Sequence, residues 1–234
     1  YLWWPFVNER IAWDAMAIVD PIYTLTLLVG VLWALATGRA RGAAIAFTLS
    51  LGYVGYGFVQ HGRAEAVQRE LARERGHDVV HARVMPTLGN VVLFRSVYRT
   101  ADDRVHVDAI RVGIFRAPLV REGRSAERMT IAKLPATHDG ERLREIFAGF
   151  DGFTDGFSII HEGPDPGTWD LGDGRISASP FDFVPLWGLR VSAHDSDPVS
   201  WTERIGNPTF DPGALIGELV APNGHYRTLA SDDP

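Results

Sequence analysis

The chain lacks several features that would narrow its function. It has no cysteine, which excludes disulfide bonds and thiolate metal sites. Its formal net charge of −6 offers no basic footprint for nucleic acid, so we expect no nucleic-acid partner. It also contains no P-loop, no Gly-x-Ser-x-Gly elbow and no His-Glu-x-x-His motif. The chain begins at Tyr1 without an initiator methionine or a basic signal region, which we interpret as a fragment or processed product.

Charge is absent from two stretches near the N-terminus, residues 21–38 and 42–60. A helix needs about 20 mostly apolar residues to cross ~30 Å of hydrocarbon, and each stretch approaches that length. The sequence therefore predicts two transmembrane spans, Ile18–Thr37 and Ala43–Gln60. The alternative is a pair of buried helices in a water-soluble protein.

The link between the spans, residues 38–42, is short, basic and flanked by glycine, so it can join only antiparallel neighbours. Arg39 and Arg41 favour a cytoplasmic link under the positive-inside rule. Four arginines after the second span favour the opposite orientation, so the side of the soluble domain stays open: Arg63, Arg69, Arg73 and Arg75.

Small and capping residues fit a helical hairpin. Asp20 is a good N-cap for a helix that begins at Pro21. The glycines of the second span are expected to let the two helices approach closely: Gly52, Gly55 and Gly57.

After residue 76 the hydrophobic pattern alternates with a period of two, which indicates antiparallel strands. One helix is predicted over Asp139–Phe150, Gly172-Asp173-Gly174 is predicted as a hairpin turn, and the stretch from Asp195 is predicted to be loop-like. The predicted strands are Val79–Val84, Val91–Arg99, Val105–Phe115, Phe157–His161, Thr168–Leu171, Arg175–Ser179 and Leu186–Ser192.

The predicted fold class is α+β, with a two-helix transmembrane hairpin followed by a mainly antiparallel β domain with one or two helices. Residues 1–76 hold an amphipathic leading segment (residues 7–17), the hairpin and a connecting helix, Ala64–Arg75, that continues the second span to a C-cap at Gly76. Residues 77–234 form the β-rich soluble domain.

Two carboxylates flank the membrane edge and are the best candidates for chemistry. Carboxylates at a bilayer boundary can bind a metal or hold a catalytic water. We predict Asp14 as a catalytic residue, and Asp20 with His61 as ligands of a divalent metal ion such as zinc. The structural alternatives are a solvated Asp14, a helix-capping Asp20 and an interfacial His61. His77 and His81 also have i,i+4 spacing, but they straddle a predicted change from helix to strand.

Several short motifs resemble the membrane-bound metal-dependent hydrolases, also described as LexA-binding, inner-membrane-associated hydrolases. They are Trp3-Trp4-Pro5-Phe6, Arg10-Ile11-Ala12-Trp13-Asp14, Ile18-Val19-Asp20-Pro21-Ile22-Tyr23-Thr24, Met85-Pro86-Thr87-Leu88-Gly89-Asn90 and a Gly-Asp-Gly-Arg turn. The resemblance implies the C-terminal portion of such a hydrolase, multi-pass in the inner membrane. The family's metal signature, histidines and aspartates in its first membrane helices, lies upstream of Tyr1 and has no match here. The resemblance thus leaves Asp14 and Asp20 as an accessory part of the metal site.

Two functions from different classes follow. The first is a metal-dependent hydrolase that acts at the membrane on an ester or phosphoester, with a lipid or another small molecule as substrate. The second is a membrane-anchored binding or structural module without catalytic activity, with membrane lipid and a protein as its partners.

Overall fold

The computed structural model describes residues 12–134, 136, 140–195, 197–203, 212–220 and 225–229. The aromatic residues Trp3, Trp4 and Phe6, residues 7–11 of the leading segment and the helix start at Asp139 lie outside the described residues. The described part contains four α-helices and two antiparallel sheets, so the predicted α+β class is confirmed.

The elements follow one another along the chain in an order that begins with helices and continues mainly with strands. They are α1 (Pro21–Thr37), α2 (Arg41–Glu74), β1 (Val79–Pro86), β2 (Leu93–Thr100), β3 (Arg104–Arg111), β4 (Leu119–Glu127), a 3-10 turn (Ile131–Lys133), α3 (Gly140–Phe153), β5 (Ser158–Glu162), β6 (Thr168–Asp173), β7 (Trp187–Ser192), β8 (Val199–Glu203), α4 (Pro212–Val220) and β9 (Arg227–Thr228).

Helices α1 and α2 form a hairpin with clear end signals. The Asp20 carboxylate accepts a hydrogen bond from the Tyr23 N–H at 3.0 Å, so the predicted N-cap is confirmed. Helix α1 ends at Gly38, whose φ of 64° is the left-handed conformation that glycine adopts without strain. The helix has 17 residues and begins at Pro21, as the Asp20 cap predicted, within the predicted span Ile18–Thr37.

The two helices approach each other through small residues, but not the predicted ones. Gly30 is buried, and a methyl group there would overlap the side chain of Ala46. Gly52 and Gly55 face open space instead. Gly57 lies three turns beyond Ala46 on the same face of α2, and it packs against the leading segment.

Helix α2 is continuous over 34 residues, about 51 Å, so the prediction that the second span runs on into the connecting helix is confirmed. It ends in a Schellman motif. The Gly76 N–H donates to the Arg73 carbonyl and the His77 N–H to the Ala72 carbonyl, each at 3.0 Å, while Gly76 has a φ of 66°. The cap itself is Arg75, so Gly76, which the sequence predicted as the cap, lies one position beyond it.

The described part of the leading segment, residues 12–17, is irregular and forms no helix. It runs beside α2 instead: the Trp13 ring lies 5.9 Å from that of Phe58, and Ala15 is buried against Gly57.

The first sheet has the antiparallel order β1-β2-β3-β4-β9, and the second half of α2 covers one of its faces. The predicted strands β1, β2 and β3 are confirmed, whereas β4 and β9 were not anticipated. The core on this face joins helix and strand residues from both sides of the division predicted at residue 76: Ala64, Val67, Leu71, Val84, Phe94, Ile110, Val112 and Val120.

The second sheet has the antiparallel order β5-β6-β7-β8. It packs against the other face of the first sheet, where Val97 and Val107 contact Phe157 and Ile159. Helix α3 packs on the second sheet through an apolar face made of Leu143, Phe147 and Phe150.

Two predictions for the C-terminal half are wrong. Gly172 and Asp173 remain paired within β6, and Arg175–Ser179 forms no strand. The predicted hairpin turn is replaced by a long connection, residues 174–186, between the neighbouring antiparallel strands β6 and β7. The stretch from Asp195 contains β8, α4 and β9 rather than only loop. Arg175 forms an ion pair with Asp173 at 2.7 Å.

Candidate functional site

The two predicted metal ligands are held by separate partners. The Asp20 carboxylate, 3% exposed, accepts hydrogen bonds from the Tyr23 N–H at 3.0 Å and from the Tyr53 hydroxyl at 2.7 Å. His61 Nε2 lies 3.0 Å from the carbonyl oxygen of Val84. Helix capping thus accounts for one oxygen of Asp20, and the tyrosine on the facing helix accounts for the other.

Asp14, the predicted catalytic residue, belongs to a row of charges along β1. Arg83 donates from Nε to its carboxylate at 3.1 Å, and a second guanidinium nitrogen also contacts it. The same guanidinium lies 3.9 Å from Asp155, which pairs with His81 Nε2 at 2.9 Å. Because residues two apart on a strand share a face, Arg83 and His81 lie on the same side of β1, where Asp155 contacts both of them. Asp14 is therefore ion-paired and not simply solvated.

The described residues contain no group of three or more histidine, cysteine, aspartate or glutamate side chains close enough to hold a metal ion. Asp14, Asp20 and His61 are not brought together, and each has its own partners. His77 and His81 also separate, since His77 Nδ1 lies 2.9 Å from the Tyr98 hydroxyl. The divalent-metal site at Asp20 and His61 stays a prediction.

A polar group that the sequence did not predict lies where α2 ends on the first sheet. We call it the helix-end cluster: Arg75, His77, Tyr98, His106, Asp108 and Glu122. Arg75 donates two hydrogen bonds to Asp108, at 2.8 and 2.9 Å, and a third to the Tyr98 hydroxyl at 2.8 Å. Asp108 also accepts from the Gly123 N–H at 3.0 Å. A buried carboxylate with these partners is fully satisfied, so the pair fastens the helix end to the sheet.

Two histidines complete the helix-end cluster. The His106 ring stacks on Tyr98 with centroids 5.0 Å apart, and its centroid lies 4.3 Å from that of His77. Burial, reinforced by the charges of His77 and Arg75, lowers the pKa of His106 to about 4, so this ring is neutral at pH 7. The cluster is therefore a candidate site for acid sensitivity.

Arg95 reaches through the interior to the β6–β7 connection, residues 174–186. Its guanidinium, 5% exposed, donates to the carbonyl oxygens of Ser179, Asp182 and Gly174 at 2.7 to 2.9 Å. Burial lowers its pKa to about 9, so it is still charged at pH 7. A buried arginine bound to three carbonyls holds the loop in place and explains why residues 174–186 are ordered without being a strand.

An apolar cleft of about 710 Å³ lies between α3 and the second sheet. Its centre is a stack of Trp187 on Trp201, with ring centroids 5.2 Å apart, and Phe153 packs edge-on to Trp187 at 5.4 Å. The apolar spacing along α3 is visible in the sequence and indicates that one face of the helix packs on another element. The tryptophans that face it could not be identified from the sequence, because they lie on β7 and β8, far along the chain. Residues 204–211 follow β8 directly and lie outside the described residues, so we assign the cleft no ligand.

The most extensive feature is the apolar surface of the hairpin, defined here as α1 and the first half of α2 (residues 41–59). Gly30 is the buried residue of α1. Among the described helices, α2 is long and apolar enough to cross a membrane, and 22% of its apolar window is buried; α1 is shorter. Large apolar side chains of the hairpin are between 43% and 76% exposed: Ile22, Leu25, Leu28, Val29, Val31, Leu32, Trp33, Leu35, Ile45, Phe47, Leu49, Leu51, Phe58 and Val59.

Comparison with known proteins adds no relative from which a function could be transferred. No protein family, no curated protein and no solved structure matches the chain at a significant level. The resemblance to metal-dependent hydrolases stays a prediction, and the candidate site must be judged on geometry. On that basis the hairpin surface is the feature that demands a functional explanation.

Proposed function

We propose that the protein is a membrane-anchored module in which α1 and the first half of α2 span a lipid bilayer and hold the two-sheet domain at its surface. The observation that supports this proposal is the exposed apolar surface of the hairpin. Soluble monomers rarely expose contiguous apolar patches of more than a few hundred Å². Burying a large apolar side chain contributes about 1.5–3 kcal/mol of stabilising free energy. Each such side chain of the hairpin would lose that contribution if it stayed in water.

Length and charge favour a bilayer over other apolar surroundings. The 17 residues of α1 span about 26 Å, and residues 41–59 of α2 span about 28 Å, both close to ~30 Å of hydrocarbon. Charged residues lie at the two ends, with Arg39 and Arg41 at the link and Arg63 where α2 meets the sheet. The alternative from the sequence was a pair of helices buried in the core of a water-soluble protein. In that case the large apolar side chains of the hairpin would be buried, whereas they are exposed.

The test is fractionation of the full chain expressed in a bacterial host. We expect wild-type protein in the membrane pellet after carbonate extraction. A Leu28→Arg, Leu49→Arg double variant is expected to leave it, because an arginine at a span centre costs about 2.5–3.5 kcal/mol on insertion scales. Val80→Arg, at a 56% exposed position on β1, is the matched control and should remain in the pellet. The proposal would be overturned if the wild-type chain stayed in solution without detergent, either as a monomer or as a dimer whose second copy covers the apolar surface.

The metal-dependent hydrolase is a separate proposal that rests on the family resemblance and on the position of Asp14 and Asp20 at one end of the hairpin. It concerns an ester or phosphoester substrate at the inner membrane. Metal analysis of purified full-length protein tests it. A stoichiometric divalent metal that is lost in both Asp20→Asn and His61→Gln would support it, while absence of metal after zinc loading would refute it.

A further inference from the structure

One end of the first sheet meets the hairpin. The β1–β2 and β3–β4 connections lie at the same end of the antiparallel sheet, opposite the β2–β3 turn. The Gly89 N–H, in the first connection, donates to the Val19 carbonyl at 2.9 Å, two residues before α1 begins. Gln60 Nε2, at the end of the apolar half of α2, donates to the Val112 carbonyl at 2.7 Å. These bonds place both connections beside the end of the hairpin where α1 begins and the apolar half of α2 ends.

The β3–β4 loop is clamped to α2 at that level. Arg63 donates to the carbonyl of Gly113 at 2.7 Å and to that of Arg116 at 3.1 Å, and it is itself positioned by Gln60 Oε1 at 2.8 Å. A single guanidinium therefore holds both ends of a short segment. Between the two clamped carbonyls lie Ile114 and Phe115.

The clamped segment is apolar and uncovered. Phe115 is 98% exposed and Ile114 60% exposed, and the next residue is the exposed Arg116. The other connection at this end adds Leu88, which is 48% exposed. At the opposite end of the sheet the β2–β3 turn is Ala101-Asp102-Asp103, without a large apolar side chain. Of these three connections, the two at the hairpin end are therefore the ones that expose large apolar side chains.

We propose that this end of the domain makes a second contact with the bilayer, in which Ile114 and Phe115 enter the apolar edge of the lipid layer. The inference rests on the membrane-spanning hairpin proposed above. It adds that the domain, besides being anchored by the hairpin, has a fixed orientation on the bilayer surface. The occupant is the lipid interface because Gln60 and Arg63 hold the loop beside the end of the apolar half of α2, which the proposed hairpin places in the bilayer. An aromatic residue followed by arginine suits this boundary, where the ring enters and the guanidinium stays at the headgroups.

Single-cysteine labelling tests the contact. Because the sequence contains no cysteine, an introduced cysteine is the single site that the fluorophore labels. The full chain carries one environment-sensitive fluorophore at Phe115→Cys, Leu49→Cys or Val80→Cys. Each variant is reconstituted in phosphatidylcholine–phosphatidylglycerol vesicles with plain or brominated acyl chains. Val80 is on β1 about 20 Å from the hairpin end, at the strand rise of ~3.3 Å per residue, so it reports on the far end of the sheet.

We expect strong quenching by brominated lipid at Leu49→Cys, clear quenching at Phe115→Cys and none at Val80→Cys. Quenching at Leu49→Cys with none at Phe115→Cys would overturn the second contact and leave the hairpin proposal intact. No quenching at Leu49→Cys would overturn the hairpin proposal, and the second contact with it. Equal quenching at all three positions would overturn the fixed orientation.

A charge variant sharpens the result. Ile114→Asp in the Phe115→Cys background should reduce quenching, because a carboxylate resists transfer into the apolar layer. Ile131→Asp, at a 51% exposed position away from the hairpin end, is its control and should leave quenching unchanged. Unchanged quenching in Ile114→Asp would count against entry of the loop into lipid. Circular dichroism of both variants checks that the fold is retained.

Discussion

The two halves of α2 belong to one uninterrupted helix and meet opposite surroundings. Residues 41–59 carry large apolar side chains that are mostly exposed, and their packed face consists of small residues such as Gly42 and Ala46. From Gln60 onward the helix buries Ala64, Val67 and Leu71 against the first sheet. In the first half, hydrophobicity therefore surrounds the helix, whereas in the second half it is confined to one stripe.

The comparison shows that a helix can be continuous in its hydrogen bonds while the exposure of its apolar side chains changes along its length. The change occurs within one turn, at Gln60 and Arg63, whose side chains bond to backbone carbonyls of the β3–β4 loop. In the proposed membrane arrangement, those polar groups need partners at this point because lipid offers none. The β3–β4 loop supplies the partners, so the proposal places the edge of the bilayer at this loop.

The largest expected effect comes from making the same change in each half. Leu71→Ala should lower the free energy of unfolding by about 2–5 kcal/mol, because Leu71 is fully buried in the core between α2 and the first sheet. Leu49→Ala, at a 61% exposed position, should change it by less than about 0.5 kcal/mol. Denaturant unfolding in lipid nanodiscs, followed by circular dichroism, measures both. Equal costs would show that the first half of α2 is also packed in a protein core.

The halves also differ in how far the sequence alone could predict them. The hairpin was predictable because its signals are local: two charge-free runs, the Asp20 cap and a glycine-flanked link. The Schellman end at Gly76 was predictable for the same reason, since its bonds close within one turn.

The candidate site was less predictable, because its pairs lie far apart in the chain. Arg83 meets Asp14 across 69 residues, and Tyr53 meets Asp20 across 33. Residue type alone suggested that the two carboxylates were available for a metal, since their partners could not be identified without the tertiary fold. The false strand at Arg175–Ser179 has a similar cause: its alternating pattern fits a strand, but the buried Arg95 binds carbonyls of this loop that a sheet would otherwise use.

A smaller effect separates the packed and open faces of the first half. Gly57→Ala should cost about 1–3 kcal/mol, because its methyl group would overlap the Ala15 carbonyl, which is backbone and cannot rotate away. Gly52→Ala meets nothing within 4 Å and should instead stabilise the helix, by up to about 1 kcal/mol. Thermal unfolding of both variants in the same detergent tests the pair. A shift of the same sign in both would contradict the packing of the leading segment against α2.

The smallest expected effect concerns the far end of the second half, in the helix-end cluster. The folded pKa of His106 is about 4, against 6.5 for the free side chain, so between these values the unfolded chain binds the extra proton. The free energy of unfolding should therefore rise with pH across this window, be fully developed above about pH 6.5 and be lost as the pH falls to about 4. Because the ring is only about half-buried and faces Arg75, His77, Arg104 and Asp108, we expect a contribution of about 1 kcal/mol after screening.

Denaturant unfolding at several pH values measures how steeply the free energy of unfolding rises with pH. This slope should be shallower for His106→Gln than for wild type, while His225→Gln, at an exposed position, should keep the wild-type slope. An unaltered slope in His106→Gln would mean that burial in the helix-end cluster does not hold this ring neutral, and that acid sensitivity originates elsewhere in the domain.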